Sequence, residues 1–142
     1  MKLYSKFITL AGSILTIFSF SMPWLKEYNR NMTGIKLTHI DEDYSYYADF
    51  AFILTLVIIF ISLHIMARKK PLRIWFKLLV LTICLVGFYC CLAILAGSGM
   101  EERFYHQLDN DVGFGVFLTV IGYILVSAGV LSSYKFEHEN SE

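Results

Sequence analysis

Residues 50–67, FAFILTLVIIFISLHIMA, run for eighteen positions without an aspartate, glutamate, lysine or arginine. A helix of that length rises about 27 Å, and a bilayer's hydrocarbon core is about 30 Å thick. Three more uncharged stretches of similar or greater length flank it: Phe7 to Leu25, Leu78 to Met100 and Val112 to Tyr134. Their Ile, Val and Phe content would suit strands in water. Lipid offers no partner to an unpaired N–H or C=O, so each stretch must close its hydrogen bonds internally, as a helix. The expected fold is an all-α membrane protein. A single domain over residues 1–142 forms a bundle of four transmembrane helices, at about 3–24, 49–67, 72–97 and 113–134. With 56% hydrophobic residues and no long hydrophilic stretch, the chain has no room for a second domain.

Net charge is zero, but the charges are sorted along the chain. Lys2 and Lys6 precede the first helix, Arg68, Lys69, Lys70, Arg73 and Lys77 fill the second connection, and Lys135 follows the last helix. The remaining bases, Lys26, Arg30, Lys36 and Arg103, share the first and third connections with nine of the twelve acids. Lysine and arginine in short loops stay on the cytoplasmic side, which predicts a multi-pass cell-membrane protein with both termini and the basic loop cytoplasmic. The basic cluster is short and flush with two membrane helices. Its reading is a topology determinant drawn to anionic headgroups, and membrane lipids rather than nucleic acid are the expected contact.

Lys2, Lys6, the apolar core from Phe7 and the small residues Ser19 and Ser21 also have the look of a secretory signal peptide. The uncharged run continues through Met22, Pro23, Trp24 and Leu25 to spanning length, so retention as a membrane helix is expected, with Pro23 and Trp24 closing it at the interface. In the first outer loop, Gly34 is followed by alternating apolar and polar residues, Ile35, Lys36, Leu37 and Thr38. This pattern predicts a short strand or hairpin lying over the bundle.

Small residues mark faces where helix backbones can meet closely. Gly115, Thr119, Gly122, Gly129 and Ser133 recur on one face of the last helix; Ser5, Gly12, Thr16 and Ser19 do so on the first, and Cys84, Gly87, Cys91 and Ser98 on the third. Gly12, Gly87, Gly115, Thr119, Gly122 and Gly129 are therefore the expected helix-packing residues. Cys90 and Cys91 are adjacent and point about 100° apart, and Cys84 lies two turns from Cys91, so neither pairing suits a disulfide. Small buried packing residues are the better reading of all three.

Candidate chemistry is sparse. His64 is the one imidazole within a hydrophobic stretch and a possible functional intramembrane group. It lies only four residues from Arg68, near the interface, and no acid lies mid-membrane to pair with it. Asp41, Glu42, Asp43 and Tyr44, Tyr46, Tyr47 place acids beside aromatics in the first outer loop, and Asp41, Asp43, Tyr44, Tyr46 and Tyr47 are the candidate partner-binding residues. The run Asp109-Asn110-Asp111-Val112-Gly113 begins like a calcium loop but lacks its terminal glutamate, so no metal site is assigned. No P-loop, dinucleotide fingerprint, zinc motif or catalytic triad spacing is present, and neither enzymatic activity nor a cofactor is expected.

The order of features is a first helix ending in Pro23-Trp24, a longer outer loop with Thr33-Gly34-Ile35, a short basic inner loop and a last helix opening Gly113-Phe114-Gly115-Val116 before Gly122. It resembles small uncharacterised bacterial four-helix membrane proteins. In plan the chain is also similar to claudin-like bundles, whose first outer loop forms strands that mediate contacts. Claudin-like loops carry a Gly-Leu-Trp motif and a cysteine pair, and this loop has neither. The resemblance implies a shape and an interaction role. The expected function is that of a non-catalytic accessory or assembly subunit engaging another membrane protein through outer loops and small-residue helix faces. The alternative is a homo-oligomeric pore or small transport protein.

Overall fold

Helices α3 (Ser45–Ala67), α4 (Ile74–Leu95) and α5 (Phe114–Ser132) contain spans of 22, 21 and 19 residues that are long and apolar enough to cross a membrane. Helix α1 (Leu3–Ser19), with 17 residues, is the shorter apolar helix of the set. Between α1 and α3 come strands β1 (Pro23–Glu27) and β2 (Arg30–Thr33) and a single helical turn, α2 (Gly34–Leu37). The structure, a computed structural model, describes residues 3–27, 30–38, 45–68, 72–95 and 113–132. Helix α1 packs on α3 and α5, and α4 packs on the same two, so neighbour relations close a ring of four helices.

Helix α1 is built inside out relative to a helix in water. Its buried residues are Ser5, Thr9, Gly12, Ser13, Thr16 and Ser19, whereas Leu3, Tyr4, Phe7, Ile14 and Phe18 are exposed. A soluble helix turns its apolar stripe to the core; apolar surroundings reverse that preference and leave small residues for close packing. The buried hydroxyls are satisfied largely by their own helix. Thr9 donates to the Ser5 carbonyl at 3.0 Å, Thr16 to Gly12 at 2.8 Å and Ser13 to Leu10 at 2.8 Å.

Helix α5 lies antiparallel along α1. At one end Ser5 Oγ donates to the Gly129 carbonyl at 2.5 Å and accepts from Ser132 Oγ at 3.0 Å. At the other the hydroxyls of Ser19 and Thr119 are 2.6 Å apart. Midway the backbones nearly touch: a Cβ on Gly12 would stand 2.8 Å from the Gly122 carbonyl oxygen, and one on Gly129 would stand 2.8 Å from the Thr9 nitrogen. The small-residue stripes of these two helices therefore face each other within one chain.

Two sequence expectations need correcting. Helix α1 stops at Ser19, not at Trp24. Phe20, Ser21 and Met22 donate to carbonyls three residues back, at Ile17, Phe18 and Ser19, tightening the chain out of the helix, and Pro23 opens a strand. A hairpin is present, but in residues other than those that alternate. Strands β1 and β2 pair antiparallel from Pro23↔Thr33 to Glu27↔Arg30, while Gly34–Leu37 forms a turn of helix. Thr33 is the cause: its hydroxyl accepts from the Lys36 nitrogen at 3.3 Å and caps that turn, a local bond that outweighs a four-residue alternation. Smaller differences are that α3 begins at Ser45 rather than Asp49 and that α4 starts at Ile74.

Candidate functional site

The hairpin end of the bundle is sealed by one side chain. The β1–β2 register shifts between Pro23 and Leu25, and a shift of this kind re-aims the residue inside it. That residue, Trp24, is fully buried. Its indole Nε1 donates to the Ser19 carbonyl at 2.9 Å, and its ring lies 4.6 Å from that of Phe20, which in turn meets Phe52 at 5.2 Å. Glycines make the socket: a Cβ on Gly115 would stand 2.5 Å from Trp24 Cδ1, and one on Gly34 would stand 2.8 Å from Nε1. Main-chain bonds tie the loop to the helices, from Gly113 to the Trp24 carbonyl at 2.8 Å and from Ile35 to the Phe20 carbonyl at 3.0 Å.

Beside this cap lie Tyr46 and Tyr47 in the first turn of α3, with relative exposures of 74% and 39%. Ile35 of α2 is also exposed. Asp41, Asp43 and Tyr44, read with them as partner-binding candidates, lie outside the described residues, as do Glu101 to Asp111. Among the described residues no group of three His, Cys, Asp or Glu side chains is placed to hold a metal ion.

In the middle of the bundle Tyr123 of α5 is the polar centre. Its hydroxyl lies 3.2 Å from Thr55 Oγ1 and reaches the Ala51 carbonyl at 3.5 Å, both on α3. Its ring passes over Gly87 of α4, where a Cβ would stand 2.5 Å from Tyr123 Cζ. Three helices thus meet at one phenol, within the core cluster that also holds the fully buried Ile58, Val80 and Val126. Cys84, Cys90 and Cys91 are buried, and all three thiols are free.

Comparison with known protein families, curated proteins and solved structures finds no match to this chain. The site must therefore be read from its own geometry.

His64 does not join this interior. Its side chain is exposed, with its ring 6.3 Å from that of Phe76, and its carbonyl accepts from the Arg68 nitrogen at 3.1 Å as α3 ends. The nearest acid whose side chain is described, Asp49, is about 22 Å away along the same helix. A proton relay has no second member here among the described residues. The basic end is instead organised by Lys6, whose Nζ donates to the carbonyls of Met66, at 3.1 Å, and Arg68. An ammonium from α1 thus caps the C-terminus of α3, where unpaired carbonyls and the negative dipole end favour a cation.

Sequence reasoning named Gly12, Gly87, Gly115, Gly122 and Gly129 as packing residues and missed Gly34 and Gly113, Tyr123, Trp24 as a plug, and Lys6 as a cap. Only Gly87 hinted at the first, since a glycine in mid-helix needs a bulky neighbour to justify its cost. The Gly87–Tyr123 contact yields a direct expectation. Gly87→Ala should destabilise the protein by about 1–3 kcal/mol through overpacking, and by clearly less in a Tyr123→Leu background. Unfolding by SDS titration from mild detergent measures all four corners of that cycle. Additive effects would show that Tyr123 does not occupy the space above Gly87.

Proposed function

We propose that this chain is a non-catalytic, four-pass integral membrane protein that serves as an accessory or assembly subunit, with a protein partner docking on its hairpin end. Three spans meet the length and hydropathy required, and α1 crosses with them because it lies beside α5 from Ser5 to Ser19 and turns Phe7, Ile14 and Phe18 outward. The basic connection supports a topology with both termini in the cytoplasm and the hairpin outside.

The observation that carries the partner reading is the exposed aromatic rim of Tyr46 and Tyr47 beside a loop anchored by Trp24. Tyrosine gives large contact area at low entropy cost, and a rigid support lets it bind without first being ordered. The small-residue faces of α1 and α5 are taken up inside the chain, which favours this rim over those faces as the docking surface. For the same reason the hydroxyl faces that would line an oligomeric pore are committed to the α1–α5 seam.

Native mass spectrometry of the protein, extracted at normal expression level from its own membrane, tests the proposal. A heteromeric mass is expected, lost in Tyr46→Ala/Tyr47→Ala while the melting temperature is kept. A lone monomer in mild detergent would refute the accessory role, and a closed homo-oligomer would move the pore reading ahead of it.

A further inference from the structure

Polar side chains cut the outward apolar surface of the bundle shorter than the helices that carry it. On α3 the exposed residues from Phe50 to Leu63 are all apolar, but the half-buried Asp49 stands before them and the exposed His64 after them. On α4 the strip lies between Trp75 and Tyr89, with relative exposures of 80% and 61%, and such amphipathic rings settle at headgroup level. The exposed Thr82 between them spends its hydroxyl on the Leu78 carbonyl at 2.9 Å. On α1 the strip lies between Lys6, whose ammonium is fixed on the end of α3, and the exposed Ser21. At helical rise these strips measure about 23 Å on α3, about 21 Å on α4 and about 23 Å on α1. All three fall short of a hydrocarbon core of about 30 Å, and any tilt shortens them further.

The boundaries also fall at shared levels. Tyr123 touches both Gly87 of α4 and the Ala51 carbonyl of α3, and two residues further toward the hairpin end these antiparallel helices present Tyr89 and Asp49. The ring of Phe20, next to Ser21, meets that of Phe52 at the same depth. At the basic end the His64 ring lies 6.3 Å from that of Phe76, the neighbour of Trp75, and Lys6 bonds the Met66 carbonyl one half-turn beyond. Two polar girdles thus encircle the bundle. Aspartate and histidine are too short to snorkel past a boundary as lysine and arginine do, so Asp49 and His64 fix where the hydrocarbon must end on α3. We infer that this belt fits a thin bilayer, about 22 Å deep in hydrocarbon, and that short-chain phospholipids are its preferred neighbours. The inference rests on the four-pass reading and is independent of any protein partner.

Trp75 supplies the probe, because it is exposed at the edge of the belt whereas Trp24 is fully buried. The full-length protein is reconstituted in brominated dioleoylphosphatidylcholine, whose chains quench exposed indole. Dimyristoleoyl-, dioleoyl- or dierucoylphosphatidylcholine then competes with it, and the recovered fluorescence gives the relative affinity for each chain length. The short dimyristoleoyl chains should compete best, by about threefold over dioleoyl, and the long dierucoyl chains least. His64→Leu/Tyr89→Leu, at two exposed positions, removes a polar boundary from α3 and from α4 and should move the preference to dioleoyl chains. A native protein that prefers dioleoyl or dierucoyl chains, or does not discriminate, overturns the thin-belt assignment. An unshifted preference in the double variant overturns it too, by denying that these side chains set the boundary. Brominated lipid that fails to quench at all refutes the four-pass reading itself, and the belt with it.

Discussion

Gly122→Leu is expected to cost at least about 3 kcal/mol of stability, enough to prevent recovery of a monodisperse protein in mild detergent. A Cβ at residue 122 would stand 2.1 Å from Thr16 Oγ1, 2.9 Å from the Gly12 carbonyl oxygen and 3.0 Å from the Thr16 nitrogen. Two of those three atoms are backbone and cannot swing aside. Helix α1 must therefore move bodily from α5, and it takes with it the Ser5–Gly129 and Ser19–Thr119 bonds, worth about 0.6 kcal/mol each in a membrane bundle. Lipid supplies no hydrophobic force to bring the helices back together, so close packing is the main attraction to be lost. Ala11→Leu provides the control. Residue 11 is exposed, one position from Gly12, and a leucine there should change stability by less than about 0.5 kcal/mol. Unfolding in an SDS titration reads both. If Gly122→Leu unfolds with the native protein, α1 and α5 do not meet at Gly12 and Gly122.

The seam was legible because the rule behind it is local: glycines, serines and threonines at helical spacing on otherwise apolar helices have few uses besides close approach. The three long spans were legible for a similar reason, since the bilayer fixes both length and hydrogen bonding. What hydropathy could not read was where a helix ends inside an uncharged run. Ser21, Met22, Pro23, Trp24 and Leu25 are as uncharged as the helix before them, yet the chain is already extended at Pro23. Nor could the alternation of Ile35 to Thr38 reveal that Thr33 caps a helical turn there. The interior site was hidden for a different reason. Tyr123 is one of nine tyrosines, and its role depends on Gly87 and Thr55, which are separated from it by whole helices in sequence. Lys6 counted as a topology charge, whereas its partners are the carbonyls at the end of another helix. Long-range pairings of this kind carry no local signature.

Trp24→Ala should be the second severe substitution, at about 3–5 kcal/mol. The indole is fully buried between Phe20 and the glycine socket of Gly34 and Gly115, and glycines carry no side chain with which to refill the space. Trp24→Phe separates packing from hydrogen bonding. It keeps most of the ring volume and loses the Nε1 bond to the Ser19 carbonyl, so about 1 kcal/mol is expected. Two readouts distinguish global loss from local opening: the SDS unfolding midpoint, and hydrogen exchange at Ile35, whose amide bonds the Phe20 carbonyl. Alanine should speed exchange at Ile35 far more than phenylalanine does. Equal effects of the two substitutions would assign the cap to its hydrogen bond, and two silent substitutions would refute the plug altogether. The comparison also bears on function. In the proposed docking role, Tyr46 and Tyr47 are preformed only while the loop beside them is held down, so the proposal predicts that a partner stays bound to the phenylalanine variant and leaves the alanine variant even where α3, α4 and α5 remain folded.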